Sequence, residues 1–415
     1  MDCQSPIYNL PSEILSTILM FCCEENELSS PPNQPIVITL SAVCGNWREI
    51  VLATPALWSK LDIVAESPSV NNGFISYLTQ MTQLFMQRSK HAPLTWSLTC
   101  FNNQPFLPIY NHLIENSERW SDISLFVDDT LLQDPVSLSV SGHIPMLKRL
   151  ELNGLYIPRE WNIFAVAPAL SVVDCVPANS YDIYLPWVQI RDLTLRYSHI
   201  PESLYILSQC PNLEQLKLEC ISGEETFTPY PSFLRKGRKT PLGSSSCWKR
   251  FSCGERRDQM QQFLLRSQCT ITYLRLEVPE LDDQQVVGLL TLLPSLVTLH
   301  LHDENKYNQR GENRTVITPF FLQQFIVKDS YFSDPSRFLP RLSNLTLVIH
   351  SEDLDAECLH NAVVSRWSPI AETDVCVLRS VTIRVVGDVD GGCLEKLSVL
   401  EKLEVPGRRI TISVA

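Results

Sequence analysis

Leu10-Pro11-Ser12-Glu13-Ile14-Leu15, Val43-Cys44-Gly45-Asn46-Trp47-Arg48-Glu49-Ile50 and Thr54-Pro55-Ala56-Leu57-Trp58 are the blocks on which the reading of the chain turns. Pro11 suits the first position of a helix, where its missing N–H costs nothing. Ile14, Leu15, Ile18, Leu19 and Cys22 follow at helical period as one apolar stripe. Leu40, Val43, Cys44, Trp47, Ile50 and Val51 make a second stripe, which Thr54-Pro55 stops. Leu57 and Trp58 form a third short apolar element. Three small amphipathic pieces make a poor independent core, so the unit must lean on the rest of the chain or on a partner.

The order of these blocks resembles the F-box, in the F-box-like form common in large fungal families. The resemblance implies a small three-helix domain that docks on a Skp-type adaptor and so joins a cullin–RING ubiquitin ligase of the SCF type. It assigns adaptor contacts to Leu10, Pro11, Ile14, Leu15, Ile18, Val43, Cys44, Trp47, Leu57 and Trp58. For Trp47 and Trp58 two readings stand side by side, contact with the adaptor and closure of the domain's own core. One departure is the long, acidic, Ser/Pro-rich segment Glu24–Pro35, which reads as an exposed loop.

The whole chain, 415 residues, has room for a small domain and a large one. Its formal net charge of −12 argues against broad binding to nucleic acid or anionic membrane. No apolar run is long enough to span a bilayer, since Val286–Leu299 is interrupted by Pro294. No signal-peptide pattern opens the sequence, and the 14 cysteines are scattered without a C-x-x-C. The expectation is a soluble protein of the cytoplasm, the nucleus or both, with reduced thiols.

After a helix expected over Phe74–Arg88, short alternating strands recur. The clearest are Met146–Leu152, Leu213–Leu218, Leu296–Leu301 and Leu342–Leu347, each entered through a proline. Weaker copies fall at Trp96–Leu98, Ile123–Leu125, Val173–Cys175, Leu193–Leu195, Leu274–Leu276, Val381–Ile383 and Leu403–Val405. Most intervals are 20–27 residues, the range of leucine-rich repeats with one strand and one helix each. Three are longer: 58 from Leu216 to Leu274, 46 from Leu299 to Leu345 and 36 from Leu345 to Val381. The last fits one repeat with a longer helix, and the middle one a degenerate repeat or an insertion. The expected fold is α/β, an F-box over 1–63, a connecting helix over 64–92, and an irregular leucine-rich-repeat solenoid, a horseshoe, over 93–415. A basic insertion at 227–257 holds Arg235-Lys236-Gly237-Arg238-Lys239, which reads as a solvated loop or as a localisation patch.

Candidate chemistry is sparse. His300 and His302 share one face of a strand, where a metal would need a third ligand such as Asp303 or Glu304. Cys247 and Cys253 would need further ligands in the same way. No glycine-rich phosphate loop and no nucleophile elbow occurs. No catalytic residue, cofactor or metal is therefore expected. The outward residues of the strands are the expected grip on a target protein: Arg149, Glu151, Arg196, Lys217, Arg275, His300 and His302. Three functions are open at this point: the substrate receptor of a ubiquitin ligase, a repeat scaffold whose F-box-like segment is only a structural cap, and an enzyme whose site no motif reveals, which the missing catalytic constellations disfavour.

Overall fold

The structure, a computed structural model, describes residues 10–23, 26–29, 34–65, 71–100, 104–127, 129–153, 162–176, 184–196, 200–219, 270–277, 282–303, 315–327, 338–367, 375–387, 391–403 and 405–414. The chain divides into two compact units, Met1–Ile190 and Arg191–Ala415.

In the first unit, helix α1 spans Ser12–Cys22, α2 Ile36–Ser41 and α3 Gly45–Ala53, followed by a 3-10 turn at Pro55–Trp58. The stripe expected to run unbroken from Leu40 to Val51 is thus cut in two. Ala42 ends α2, and Cys44 turns extended before Gly45 opens α3. Periodicity alone does not register a break that short; the glycine was its mark. The unit holds six parallel strands, β1 (Glu27–Ser29), which lies between α1 and α2 in the chain, and then β2 (Lys60–Ala65), β3 (Leu94–Cys100), β4 (Trp120–Phe126), β5 (Arg149–Leu152) and β6 (Val172–Cys175). Each pairs with its successor. Helices α4 (Asn72–Arg88) and α5 (Leu107–Ile114) connect them.

β1 corrects the reading of Glu24–Pro35 as an exposed loop. Leu28 is fully buried, and Glu27–Ser29 pairs in register with Asp62–Val64. Strand β2 was also missed, although Lys60–Ala65 alternates exposed and buried side chains as a strand should. The register stacks Leu28, Ile63, Leu98, Leu125, Leu152 and Cys175 into one buried ladder. Fully burying a side chain of Leu or Ile size is worth about 1.5–3 kcal/mol, so this ladder supplies much of the unit's cohesion.

The second unit continues the pattern with β7 (Asp192–Arg196), β8 (Gln215–Glu219), β9 (Tyr273–Glu277), β10 (Thr298–Asp303), β11 (Asn344–His350), β12 (Ser380–Val386) and β13 (Arg409–Val414). Neighbours again pair in parallel. Helices α6 (Ile200–Leu207), α7 (Asp283–Thr291), α8 (Pro319–Gln323), α9 (Ala356–Trp367) and α10 (Gly391–Glu401) lie between strands in the chain. Leu195, Leu218, Leu276, Leu301, Leu347 and Ile383 form its inner ladder.

The long intervals resolve simply. β8 pairs directly with β9, and β10 with β11, so neither the 58-residue nor the 46-residue interval places a strand between its neighbours. The 36-residue interval holds α9, the longer helix expected there. The strand expected at Leu403–Val405 lies instead at Arg409–Val414. Leu403 caps the end of α10, and the chain turns at Gly407 with φ +80° before the strand begins. The basic stretch 227–257, with Cys247 and Cys253, lies outside the described residues, as does Glu304.

A buried arginine secures the second unit. Arg366 donates to the carbonyls of Phe325 at 2.8 Å and Leu339 at 2.9 Å, and also to that of Phe338. Its guanidinium lies 5.3 Å from the centre of the Phe325 ring. Burial pushes its pKa down to about 10, and the carbonyls take over the hydrogen bonds that water would have made.

Candidate interaction surfaces

Helix α1 has an inner and an outer line. Leu15 and Leu19 point inward and are buried, packed on the side of α3 and the Pro55–Trp58 turn. Leu10, Ile14, Ile18 and Phe21 fall at i, i+4, i+8 and i+11, and all four are exposed. Met20, Ile36 and Val43 are exposed as well, with Phe21 at 71% and Val43 at 55%. Large apolar side chains left in water on one small domain mark a surface that a partner covers.

The ten residues that the resemblance assigned to the adaptor separate on this geometry. Leu10, Pro11, Ile14, Ile18 and Val43 are at the surface, and Cys44 and Trp47 are half-buried. Leu15, Leu57 and Trp58 are interior, which withdraws them from any docking surface in this state. Trp58 explains its own burial: its indole N–H donates to the Val51 carbonyl at 2.9 Å. Its ring meets Phe85 of α4 edge-on at 5.4 Å. Phe21, Met20 and Ile36 were not among the ten, though the i+11 step from Leu10 to Phe21 was visible in the sequence.

What holds the surface in shape is a polar residue in the interior. Asn26 is 1% exposed, and its amide nitrogen donates to the carbonyls of Leu57 at 3.1 Å and Cys23 at 3.4 Å. Its amide oxygen accepts from the Val37 N–H at 3.2 Å. One side chain thus ties the end of α1, the start of α2 and the 3-10 turn together. Beside it, burial and the neighbouring Cys22 push the Cys23 thiol up to about 11, so it stays protonated.

The outward residues of the strands form the second kind of surface. In the first unit, the register sets Glu27, Asp62, Ser97, Ser124 and Glu151 side by side, and the row ends at Asp174, which is buried. Ser97 donates to the Asp62 carboxylate, and Arg149 lies 3.9 Å from Asp122. Burial pushes the Asp122 carboxyl up; Arg149 opposes this and Glu151 adds to it.

In the second unit, the expected target residues Lys217, Arg275 and His300 are lateral neighbours, with Arg196 and His302 in the adjacent row. Their charges are already matched. Arg196 lies 3.3 Å from Glu219, Lys217 pairs with the same carboxylate, and Arg275 pairs with Glu277. Burial works against the Arg275 charge, but Glu277 outweighs it and leaves the pKa raised. His300 sits 5.3 Å from the Tyr273 ring, and burial together with Arg275 lowers its pKa.

Asp303, the neighbour available to the His300–His302 pair as a metal ligand, turns inward instead. Its carboxylate accepts from the backbone N–H groups of Val316 at 2.7 Å and Ile317 at 2.9 Å. Among the described residues no group of three or more metal-ligating side chains occurs. Among them, too, no helix is long and apolar enough to cross a membrane.

The family model described as F-box-like matches residues 7–64. That span carries all three sequence blocks, the outer line of α1 and the Asn26 staple, and the chain therefore contains an F-box-like domain. Domains of this kind typically bind Skp-type adaptors of cullin–RING ubiquitin ligases. No curated protein matches the chain.

Proposed function

We propose that the protein is the substrate-recognition subunit of an SCF-type ubiquitin ligase. In this reading the F-box-like domain docks on a Skp-type adaptor, and the parallel-strand units, read as irregular leucine-rich repeats, hold the target. The protein contributes no reacting group. The target supplies the lysine, another subunit the thioester, and catalysis is by proximity. The work is done in the cytoplasm, the nucleus or both.

The exposed apolar line Leu10, Ile14, Ile18 and Phe21 carries the proposal. A cap that served only its own chain would turn such residues inward, as Leu15 and Leu19 are turned. The test is titration of the full chain with a purified Skp-type adaptor, beside a Leu10→Ala/Pro11→Ala variant. Wild-type binding that weakens by roughly 2 kcal/mol or more in the variant supports the reading. Equal binding by both proteins places the contact elsewhere.

A scaffold with a structural cap is the second reading, and one observation favours it. β1, inside the F-box-like domain, pairs with β2, and Asn26 accepts at its carbonyl from the Asp62 N–H at 3.0 Å. The domain is built onto the sheet. Absence of any adaptor binding by the folded full chain would select this reading.

A further inference from the structure

The strand face of the second unit is not uniform, and the difference points to what it binds. On β7–β9 the cations are already taken up by Glu219 and Glu277. On β10–β13 no outward residue carries a carboxylate. Here Thr346, Thr382 and Thr411 are lateral neighbours on β11, β12 and β13. Arg384 and Arg409 flank this hydroxyl row, both exposed, and neither is in an ion pair among the described residues. Arg384 has Val348 and Ser413 beside it across the strands, and Arg409 has Ser380. Glu401 comes against β13 only at the backbone, where it accepts from the Ile412 N–H at 3.2 Å.

We propose that the β10–β13 face, through Arg384, Arg409 and the threonine row between them, binds an extended acidic segment of a protein partner. The spacing decides the form of the ligand. Arg409 is level with Ser380, and Arg384 lies four residues further along β12. At about 3.3 Å per residue and about 4.8 Å between strands, their Cα atoms are roughly 14 Å apart. Two carboxylates about four residues apart in an extended peptide match that distance without either arginine folding across the threonines. Each guanidinium can take a carboxylate in two parallel hydrogen bonds, and the hydroxyls can donate to or accept from the peptide backbone between them. A single phosphate would engage one arginine and leave the other idle.

This deepens the target-binding half of the proposed function and is independent of the adaptor, so the experiment is run on the full chain alone. The probe is a short fluorescein-labelled peptide of Ser, Gly and Thr carrying two glutamates four residues apart, read by anisotropy. Binding should weaken as salt rises. A peptide with glutamine in both positions should bind at least about tenfold more weakly. Arg384→Glu/Arg409→Glu should lose the glutamate peptide and gain preference for its lysine counterpart. If that variant fails to fold by circular dichroism, Arg384→Gln/Arg409→Gln serves, with loss of the glutamate peptide expected. Equal binding of the glutamate and glutamine peptides, or unchanged binding by the double variant, would overturn the proposal. So would a singly phosphorylated peptide binding more than about tenfold tighter than the two-glutamate one, since that assigns the face to one phosphate. Adaptor affinity, measured on the same preparations, reports on the F-box-like domain separately.

Discussion

The outer line of α1 holds four large apolar side chains in water, whereas the outward rows of β7–β9 hold Arg196, Lys217 and Arg275 there and match each to a carboxylate. The first surface is unfavourable until something covers it, because apolar area in water is what association removes. The second is content in water, since its charges are hydrated and already matched, and it gains by binding only where a partner offers better partners than water does. An apolar surface suits a constant companion and a polar one suits a reader of particular sequences. The protein places the two on different parts of its fold, the helices of the F-box-like domain and the faces of the strands.

That contrast can be broken most sharply on α1. Ile14→Asp with Phe21→Asp would place two carboxylates in a surface that docking dries. Adaptor affinity should fall about a thousandfold, near 4 kcal/mol, with no loss of melting temperature, because both side chains are exposed in the free chain. Calorimetric titration checks the first half and a thermal melt the second; undiminished affinity would show that the apolar line is not the docking surface.

Beneath that surface the expected effect moves from binding to stability. Asn26→Ala leaves the Val37 N–H and the Leu57 carbonyl without their buried partner, a cost of about 3 kcal/mol. Urea denaturation would show it, and a change of less than roughly half a kcal/mol would mean that the staple is not needed.

On the strand face the effects shrink. Arg196→Glu with Lys217→Glu sets two new carboxylates against Glu219 and should cost about 1 kcal/mol. Arg384→Glu, with no ion pair to lose among the described residues, should stay within about 0.5 kcal/mol of wild type. Equal costs for the two variants, again by urea, would show that the pairs on β8 contribute nothing.

The smallest effect is in pH. The folded pKa of His300 lies below its unfolded value of 6.5, through burial first and Arg275 second. Its contribution to stability is therefore intact above pH 6.5 and is lost as pH falls through the folded pKa. His300→Gln should make the fall of stability between pH 7 and 5 shallower. An unchanged slope would assign the titration to other groups.

Much of this was legible because the chain obeys short periods. Alternation at Leu213–Leu218 or Leu342–Leu347 is local, and burial of every second residue follows from the pleat. The outer line of α1 was half legible. Ile14 and Ile18 were read in one stripe with Leu15 and Leu19, but a helix turns 100° per residue, and only packing decides which half faces in. The resemblance places Leu57 at the adaptor and leaves Trp58 open between adaptor and core, and an indole that can reach the Val51 carbonyl gains a partner by going in. Asn26 was not legible at all. Its role rests on three backbone groups up to 31 residues away, which no local pattern reports. The pairing of the charges on β7–β9 was hidden for the same reason, because it needs the register between strands.

The direct pairing of β8 with β9 has a consequence for how the second unit assembles in time. Leu216 and Leu274 are side by side across the ladder but 58 residues apart in the chain, against 23 from Leu193 to Leu216 and 25 from Leu274 to Leu299. On loop length alone, closing that contact costs about 0.7 kcal/mol more entropy than closing its neighbours. The equilibrium barely registers so small a term, but a search through sequence-distant contacts slows folding. Strands on either side of the junction can zip onto their near neighbours first, and the β8–β9 seam then joins last. A chain just released from the ribosome would pass through a state with two open strand edges at that seam, which is where a chaperone, or a second chain, would find it.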